Sequence, residues 1–488
     1  MKQIYNPFLP LCEYIPDGEP HVFGDRVYVY GSHDKESGDF FCMLDYVCYS
    51  ASIYDLKDWR YEGVIYKAKN DPDYVNHPYM YAPDVVQGND GKYYLYYSLA
   101  GRDECSFLMS VAVCDTPAGE YKFLGYVKNP DGTPLQDFII FDPGLINDGG
   151  HIYLYYGVWY DFDENPSFTR EESIKKQMSM YKKTREEIES TEGGVQGPVC
   201  VELMDDMMTI KHKPVHIFPT RFKGTSFEGH EFFEASSIRK IGEKYYFIYS
   251  TFNQHELAYA TSDRPDGGFE YGGVIISNGD VGYMGRRPED RVNRTGNNHG
   301  SIEKINGEWY IFYHRQTHKN DYSRQACAEK IQLLDNGAIP QVEMTSCGLN
   351  GGPLLTEGTY PATICCNLTN GKMPHTTGCL DGIPFIVYKD NERIITDVSD
   401  GTKIGYKYFD FKGETSLGIT YKNGQNQPQG KVFVKTSLDG APICSFDVAP
   451  SENWTRAGCT VNLNGKNGLF FEYKGQGQIE ILDIYFGK

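Results

Sequence analysis

Short apolar runs separated by glycine-containing turns recur along the first two thirds of the chain. Five of them share one pattern, a strand rich in tyrosine and other aromatic residues that follows a turn with glycine. They span residues 27–32, 93–98, 152–157, 245–250 and 309–314. Runs of this length, rich in aromatic and β-branched residues and bounded by turns, predict β-strands. Their spacing of roughly 60 to 90 residues is typical of propeller blades and not of helical solenoids.

The five copies predict a β-propeller with five blades. One strand–turn–strand unit cannot bury both of its faces, so each copy needs neighbours of the same kind. The 488-residue chain contains 39 Tyr, 27 Phe and 52 Gly. This composition agrees with an all-β fold, because aromatic residues favour strands and glycines supply turn dihedrals. We expect the propeller to occupy residues 1–346, with residues 327–345 closing the ring by completing the sheet that the first copy begins.

The rest of the chain predicts an insertion, a linker and a second domain. The interval between the third and fourth copies is the longest, and residues 168–190, rich in Glu, Lys, Arg and Met, predict a helix within it. The helix is expected on the solvated surface, with the rim of a functional site or a subunit contact as alternatives. Residues 347–354 predict a linker. Residues 355–488 alternate short apolar strands with Gly and Asn turns, which favours a β-sandwich.

Charge and cysteine content narrow the choice of partner and compartment. The formal net charge is −19 at pH 7, which disfavours nucleic acid and anionic membranes as partners because both would be repelled. A neutral ligand such as a sugar is compatible with it. The first seven residues lack the basic flank and apolar run of a secretory signal. The 13 cysteines, without CxxC spacing, fit reduced thiols better than disulfides or zinc. A cytoplasmic protein without membrane spans is therefore expected.

Ionisable residues precede all five strands at nearly the same distance. Counting back ten to twelve residues from the tyrosine that the copies share reaches Asp17, Asp84, Asp142, Glu234 and His299. Equivalent positions on five blades converge near the propeller axis, so we expect these side chains to meet in the central channel. Like charges brought together cost free energy, and proteins keep that arrangement where chemistry or an ion requires it. For Asp142, a turn-forming role at the start of a strand is the alternative.

Several segments around these positions resemble glycoside hydrolase family 43. They are Pro16-Asp17-Gly18-Glu19-Pro20-His21-Val22-Phe23, Ala82-Pro83-Asp84, Phe233-Glu234-Ala235-Ser236, Asn298-His299-Gly300-Ser301 and Tyr313-His314-Arg315. The resemblance covers residues 1 to about 340. It implies a five-bladed propeller and hydrolysis of a glycosidic bond with inversion. The first segment departs from the family pattern, which usually has Asp-Pro where this chain has Asp17-Gly18, so Glu19 is kept as an alternative base.

Inverting hydrolysis requires two carboxyl groups roughly 6.5–9.5 Å apart, one to protonate the leaving oxygen and one to deprotonate a water molecule. The resemblance assigns the base to Asp17 and the acid to Glu234. Asp84 is expected to orient the acid and raise its pKa, since a neighbouring negative charge disfavours a second one. Glu231 is the alternative acid. It and Glu234 point to opposite faces of an extended strand, and the position shared by the five copies selects Glu234.

Further residues are candidates for substrate and metal contacts. The candidate substrate-binding residues are His33, Asp34, Tyr81, Asp142 and Arg324, with surface or structural roles as alternatives. The resemblance also implies that His299 lies near the bottom of the channel, where family members hold a calcium ion or a water cluster. Histidine is a poor calcium ligand, so oxygen atoms and waters would supply most of the coordination. A buried structural histidine is the alternative, and the reaction itself requires no cofactor.

Together these features predict an exo-acting glycoside hydrolase that releases xylosyl or arabinofuranosyl units from oligosaccharides of plant cell-wall hemicellulose. A non-catalytic sugar-binding propeller is one alternative, and carboxylates at both the acid and the base positions argue against it. A phosphorolytic propeller is another, with the arginines of residues 286–291 as its phosphate pocket. The C-terminal region weakly resembles carbohydrate-binding modules of family 6 in its closing strands, and either sugar binding or structural support is open to it.

Overall fold

The computed structural model describes residues 2–74, 79–101, 104–163, 165–190, 194–376, 380–424 and 429–487. Strands dominate these residues, which confirms the all-β prediction. No helix among them is long and apolar enough to cross a membrane. Short 3-10 helices occur at Ala68–Asn70, Tyr283–Gly285, Pro288–Asp290, Gly348–Asn350 and Ala362–Ile364.

Five antiparallel sheets follow one another along the described residues up to Ile331, which confirms the five-bladed propeller. The first contains β1 (Glu19–Phe23), β2 (Arg26–Tyr30), β3 (Tyr46–Ser52) and β4 (Asp55–Tyr66). The second contains β5 (Tyr79–Met80), β6 (Asp84–Gln87), β7 (Tyr93–Gly101), β8 (Glu104–Cys114) and β9 (Lys122–Tyr126). The third contains β10 (Gly144–Asp148), β11 (His151–Tyr156), β12 (Val199–Leu203) and β13 (Val215–His216). The fourth contains β14 (Phe232–Ile241), β15 (Lys244–Thr251), β16 (Leu257–Ser262) and β17 (Glu270–Ile276), and the fifth contains β18 (Ile302–Ile305), β19 (Glu308–Gln316) and β20 (Arg324–Ile331).

The N-terminal segment closes the ring. The backbone N–H of Phe8 donates to a carbonyl of β20, and the side chain of Asn6 exchanges hydrogen bonds with the backbone of Ala328 on the same strand. Residues after β20 turn to the fourth blade instead, where the N–H of Val342 donates to the carbonyl of Ile275. The prediction that residues 327–345 complete the first sheet was wrong, because β20 is already the outer strand of the fifth blade.

The insertion between β11 and β12 contains two α-helices in its described residues where the sequence predicts one. They are α1 (Arg170–Tyr181) and α2 (Arg185–Ser190). Lys182 ends α1 in a left-handed conformation with φ of 54°. Thr184 then starts α2, because its backbone N–H donates to the Glu187 carboxylate and its hydroxyl accepts from the N–H of Glu187. This reciprocal N-terminal cap, inside the predicted helix, is the reason for the break.

The C-terminal region forms one hydrogen-bonded sheet of ten strands among the described residues. They are β21 (Leu354–Leu355), β22 (Gly358–Pro361), β23 (Asn367–Thr369), β24 (Phe385–Lys389), β25 (Glu392–Val398), β26 (Lys403–Lys422), β27 (Gly430–Lys435), β28 (Cys444–Val448), β29 (Thr455–Lys474) and β30 (Ile479–Gly487). Strands β26 and β29, of 20 residues each, pair along nearly their whole length and link the strands on either side of them into this sheet. Tyr406, Phe409 and Phe486 belong to one buried cluster around which the sheet folds.

The C-terminal sheet packs against the propeller through buried charges. The Nζ atom of Lys407 lies 3.2 Å from Oδ2 of Asp280 and 2.9 Å from Oε2 of Glu343. The predicted linker contains the 3-10 helix Gly348–Asn350 and is therefore a folded connection. The division into domains at residues 346 and 355 stays a prediction.

One disulfide, Cys444–Cys459, joins β28 to β29, and the other cysteines whose side chains the structure describes are free. This pair differs from the expectation that the thiols are reduced. The cytoplasmic location stays a prediction.

Candidate active site

Strand pairing shows which residues are equivalent across the blades. In each blade, one residue of the entering strand lies opposite the fourth residue of the repeated run. These opposite residues, which we call the inner layer, are Glu19, Asp84, Gly144, Ser237 and Ser301. The residues two positions before the inner layer in sequence form the outer layer, and they are Asp17, Ala82, Asp142 and His299. In the fourth blade the pairing of β14 is irregular, and Glu234 takes the outer-layer position. The ionisable residues therefore occupy two layers along the axis and not one.

Asp84 belongs to the inner layer, which differs from the prediction that it lies beside the acid. The paired residues Asp84 and Tyr96 are one residue further apart in sequence than Glu19 and Tyr30. Counting back from the shared tyrosine therefore reaches the inner layer in the second blade and the outer layer in the others. The outer-layer equivalent in this blade is Ala82, which carries no charge.

Both oxygens of the Asp84 carboxylate accept hydrogen bonds from within the fold. Its two oxygens accept the backbone N–H groups of Val85 and Leu145, each at 2.6 Å. Nε2 of His21 lies 2.6 Å from Oδ1. Asp84 is also completely buried, so its contacts are those of a structural group.

A cleft of about 340 Å³ lies over the outer layer. Asp17, Asp142 and Glu234 all line it, together with the guanidinium of Arg324. Its aromatic lining residues are Phe40, Phe41, Tyr81, Phe141, Tyr160 and Phe233. Within the described residues, none of the inner layer contributes to this lining. Apolar walls around a few convergent polar groups are the usual composition of a small-molecule site.

Irregular backbone places Glu234 in the cleft. Strand β14 departs from regular pairing on both sides of Glu234, and the next residue, Ala235, has a left-handed φ of 70°. Bulges of this kind re-aim side chains and are frequent beside functional sites. The alternative acid, Glu231, accepts a hydrogen bond from the backbone of Gly229 and does not line the cleft.

The environment of Glu234 favours its protonated form. Burial and the neighbouring carboxylate of Asp142 raise the pKa of Glu234 well above its ordinary value. Asp142 is fixed beside it, because Oδ2 accepts the backbone N–H of Ala235 at 3.1 Å and lies 3.5 Å from Nδ1 of His299. A carboxyl group that stays protonated near neutral pH can serve as a general acid.

The environment of Asp17 favours its ionised form. Nη1 of Arg324 donates to Oδ1 of Asp17 at 3.0 Å. Nε2 of His314 donates to the carbonyl of Asn297 at 2.9 Å, so Nδ1 of the ring accepts the backbone N–H of Asp17 at 3.1 Å. Burial alone would raise the pKa of Asp17, but the guanidinium of Arg324 outweighs it and holds the pKa well below its ordinary value. An ionised carboxylate that faces a cleft can accept a proton from water.

Glu19, the alternative base, lies in the inner layer and is fully buried. Its Oε2 atom lies 3.3 Å from Nη2 of Arg239 and accepts the hydroxyl of Ser237 at 3.1 Å. Burial and the nearby carboxylate of Asp84 raise the pKa of Glu19 to about 7. Glu19 does not line the cleft, so the geometry favours Asp17 as the base.

Three of the predicted substrate contacts line the cleft and two do not. Those in the lining are Tyr81, Asp142 and Arg324. Asp34 is buried behind Arg324, whose Nε and Nη2 atoms donate to its two carboxylate oxygens at 2.8 and 3.0 Å. Asp34 therefore orients the guanidinium. His33 donates from Nδ1 to a backbone carbonyl at 2.8 Å and lies outside the lining.

His299 connects the two layers. Its Nδ1 atom faces Asp142, and its Nε2 atom lies 3.8 Å from Oε1 of Glu19. Burial would lower the pKa of His299, but Asp142, with Asp17 and Glu19, raises it to about 9. The role of His299 as a metal ligand stays a prediction.

A different group in the inner layer meets the spacing of a cation site. The ligand atoms of Glu19, His21 and Asp84 all lie within 4.8 Å of one another. Oε1 of Glu19 is buried without a hydrogen-bond partner and is available to a cation. Calcium takes six to eight oxygen ligands, more than these two carboxylates supply, so waters would complete the coordination. The group therefore fits a hydrated cation below the cleft.

Sequence reasoning missed most of the cleft wall. Phe40 and Phe41 come from the loop after β2, Tyr160 comes from the start of the insertion, and Thr376 comes from the C-terminal region. The adjacent phenylalanines in the loop after β2 were a usable signal for the first two. Nothing in the sequence around Thr376 indicated that it reaches the cleft, because its position depends on how the C-terminal region packs against the propeller.

A larger cavity of about 850 Å³ lies between the propeller and the C-terminal sheet. Arg286 and Arg291, considered above for a phosphate pocket, line this cavity, and Arg287 pairs with Asp290 on the surface. None of these three arginines lines the cleft that holds Asp17. The structure therefore does not bring them to the carboxylates as phosphorolysis would require.

A family model described as glycosyl hydrolases family 43 matches residues 6–339, which is more than half of the chain. The chain belongs to this family. It is accordingly a glycoside hydrolase, and the resemblance inferred from the separated motifs is confirmed.

Relatives within family 43 are similar over the propeller and beyond it. A xylosidase/arabinosidase of Thermoclostridium stercorarium is 44% identical over 499 residues and covers 98% of each chain. A xylosidase/arabinosidase of Bacteroides ovatus is 31% identical over 321 residues, or 62% of this chain and 86% of the relative. A solved family 43 β-xylosidase/α-arabinofuranosidase from a compost metagenome, in complex with xylotriose, is 27% identical with a TM-score of 0.51 and covers 68% of this chain and 96% of that one. The first similarity includes the C-terminal region.

Proposed function

We propose that this family 43 enzyme is an exo-acting, inverting hydrolase that releases xylosyl or arabinofuranosyl units from oligosaccharides of plant cell-wall hemicellulose. One observation carries the mechanism: two carboxyl groups line the same cleft in opposite environments, Asp17 against the Arg324 guanidinium, which favours its ionised form, and Glu234 beside Asp142, which favours its protonated form. The names of the relatives support the choice of sugar. The cleft volume of about 340 Å³ is at the small end of ligand sites and supports binding of a single terminal unit.

The reaction divides between these two groups. Glu234 gives its proton to the glycosidic oxygen as the bond from that oxygen to the anomeric carbon breaks. Asp17 takes a proton from a water molecule whose oxygen attacks the anomeric carbon from the opposite face. No covalent intermediate forms, so the configuration of the released sugar is inverted.

Asp142 takes the role that the sequence suggested for Asp84. Its ionised carboxylate, held by the backbone N–H of Ala235 and by His299, keeps a negative charge beside Glu234 and disfavours ionisation of the acid. The positive charge of Arg324 lowers the pKa of Asp17 and favours its ionised form. One cleft therefore maintains an acid and a base at the same pH.

A calcium ion is proposed for the inner layer, with Glu19 and Asp84 as its protein ligands and waters completing its coordination. Such an ion would supply positive charge that offsets the buried carboxylates. It would act on the fold of the channel and not on the reacting atoms, because neither ligand lines the cleft.

The proposal is tested by assaying aryl β-xylosides and aryl α-L-arabinofuranosides, each with and without phosphate, and xylo-oligosaccharides with and without arabinosyl branches. We expect free monosaccharide from one or both classes, at a rate that phosphate does not change. The D17N variant serves as the inactive control. A sugar phosphate as product, internal cleavage to shorter oligosaccharides, or no reaction with either class would contradict the proposal.

A further inference from the structure

The C-terminal region reaches the catalytic cleft at one described residue. Thr376, which follows β23, lines the cleft together with Asp17 and Glu234. Its side chain is partly exposed. All other residues of the lining precede residue 325 and belong to the propeller. The wall of the cleft is therefore built from two regions that are far apart in sequence.

Backbone hydrogen bonds fix the segment of Thr376 to a loop of the fifth blade. The N–H of Thr376 donates to the carbonyl of Thr295 at 2.7 Å, and the N–H of Thr295 donates to the carbonyl of Pro374 at 3.2 Å. The Thr295 hydroxyl also forms a 2.8 Å hydrogen bond with Nδ1 of His375. Residues 296–297, which follow directly, line the cleft. The ladder therefore joins residues 374–376 to the cleft wall itself.

Side-chain packing fixes the same segment from a second direction. The ring of His375 lies 5.0 Å from that of His255, which lines the cleft and packs 4.6 Å from the ring of Phe233. Met373 is buried, and its carbonyl accepts a hydrogen bond from Nη1 of Arg291 at 3.4 Å. Both ends of the segment 373–376 are thus anchored to the propeller.

Thr376 has a costly backbone conformation and a hydroxyl without a partner among the described residues. Its φ of 52° is left-handed, which is uncommon for a β-branched residue and costs free energy. Among the described residues, no group forms a hydrogen bond with its hydroxyl. A hydroxyl donates one hydrogen bond and accepts up to two. A position that is held at a cost in free energy, with an open hydroxyl in a cleft, is suited to ligand contact.

We infer that Thr376 is a substrate-binding residue whose hydroxyl forms a hydrogen bond with a hydroxyl of the bound sugar, so that the C-terminal region completes the active site. The inference rests on the proposed glycosidase function. It gives this region a direct part in substrate recognition, different both from sugar binding at a separate module and from structural support alone.

The test compares two substitutions that separate the hydroxyl from the shape of the side chain. Thr376→Val keeps the β-branch, and so the backbone cost, but removes the hydroxyl. Thr376→Ser keeps the hydroxyl. We expect kcat/KM to fall about 3- to 10-fold in Thr376→Val, mainly through KM, as expected for one neutral hydrogen bond. Thr376→Ser is expected to stay close to wild type.

The matched control is Thr359→Val on strand β22, an exposed threonine of the same region outside the cleft, which is expected to match wild type. Melting temperatures of all variants separate a folding defect from a binding defect, and Thr376→Ala replaces Thr376→Val if the valine variant does not fold. Unchanged kinetics without the hydroxyl, or equal losses with valine and serine, would overturn the inference alone. A wild-type protein without glycosidase activity would overturn the proposed function, and the inference with it.

Discussion

The two layers of the propeller channel are built by the same entering strands and use their charges differently. In the outer layer, Asp17 and Glu234 face an open cleft and are held in opposite charge states. In the inner layer, Glu19 pairs with Arg239, and Asp84 is surrounded by backbone N–H groups and His21. The entering strands of one channel thus supply reactive groups in the outer layer and structural groups in the inner layer.

The difference teaches that convergence of charges on the propeller axis does not by itself identify catalytic residues. Access to the cleft and the availability of a lone pair or proton separate the two layers. Asp17 keeps one face toward the cleft although Arg324 contacts it, whereas Asp84 does not line the cleft and both of its oxygens accept backbone N–H groups. The predictions below compare matched substitutions in the two layers.

The largest effect is expected from Asp17→Asn, which removes the base without changing the size of the side chain. Loss of a positioned proton acceptor lowers kcat by about 10²–10⁴-fold. The matched inner-layer change, Glu19→Gln, is expected to keep most of the activity. Steady-state kinetics on an aryl glycoside measure both. If Glu19→Gln were inactive and Asp17→Asn active, Glu19 and not Asp17 would be the general base.

The next effect concerns Glu234→Gln, and it depends on the leaving group. Natural oligosaccharides have poor leaving groups that need protonation, so their hydrolysis is expected to fall by about 10²–10⁴-fold. Activated aryl glycosides need protonation less and should lose less activity, while binding of substrate is largely kept. Parallel assays on the two substrate classes measure the difference. Equal losses on both classes would remove Glu234 from the acid role.

A smaller effect is expected from Asp142→Asn, and it appears in the pH profile. Glu234 is active when protonated, so kcat falls as the pH rises through the pKa of Glu234. Removal of the Asp142 charge lowers that pKa and shifts the alkaline limb to lower pH. The control Asp84→Asn should leave the limb in place and instead lower stability, by about 1–3 kcal/mol for a disturbed buried acceptor. If the alkaline limb shifted in Asp84→Asn and not in Asp142→Asn, Asp84 would be the group that raises the pKa of Glu234.

The smallest change in kcat is expected from Arg239→Gln, which removes the cation paired with Glu19. Loss of one partner of a buried ion pair destabilises a fold by about 3–5 kcal/mol, so the melting temperature should fall clearly. The fraction that stays folded should react at nearly the wild-type rate, because Arg239 does not line the cleft. Thermal unfolding and kinetics at low temperature test this together. Loss of activity without loss of stability would contradict the separation of the layers.

The sequence was sufficient for the repeated part of the fold. The copied strands and their turns predicted five blades because each copy has the same pattern of apolar residues. Ring closure was not predictable in the same way, since the contact of Phe8 with β20 joins the two ends of the propeller and leaves no local pattern. The break between α1 and α2 was readable, because Thr184 and Glu187 have the spacing of a helix cap.

The candidate site was predictable where residues follow the repeat, and not where the backbone departs from it. Asp17 and Glu234 were found from their motifs. Asp84 was placed in the wrong layer because its hairpin is one residue longer, which a count along the sequence cannot detect. Thr376 was missed because contact between distant regions determines its position.

The most direct test of the central claim is the configuration of the first product. The wild-type enzyme is incubated with a β-xyloside or an α-L-arabinofuranoside, and proton NMR follows the anomeric signals before mutarotation mixes them. Because Asp17 activates water and forms no bond to the sugar, we predict that the anomer opposite to that of the substrate appears first. A first product with retained configuration would contradict the assignment of Asp17 as the base.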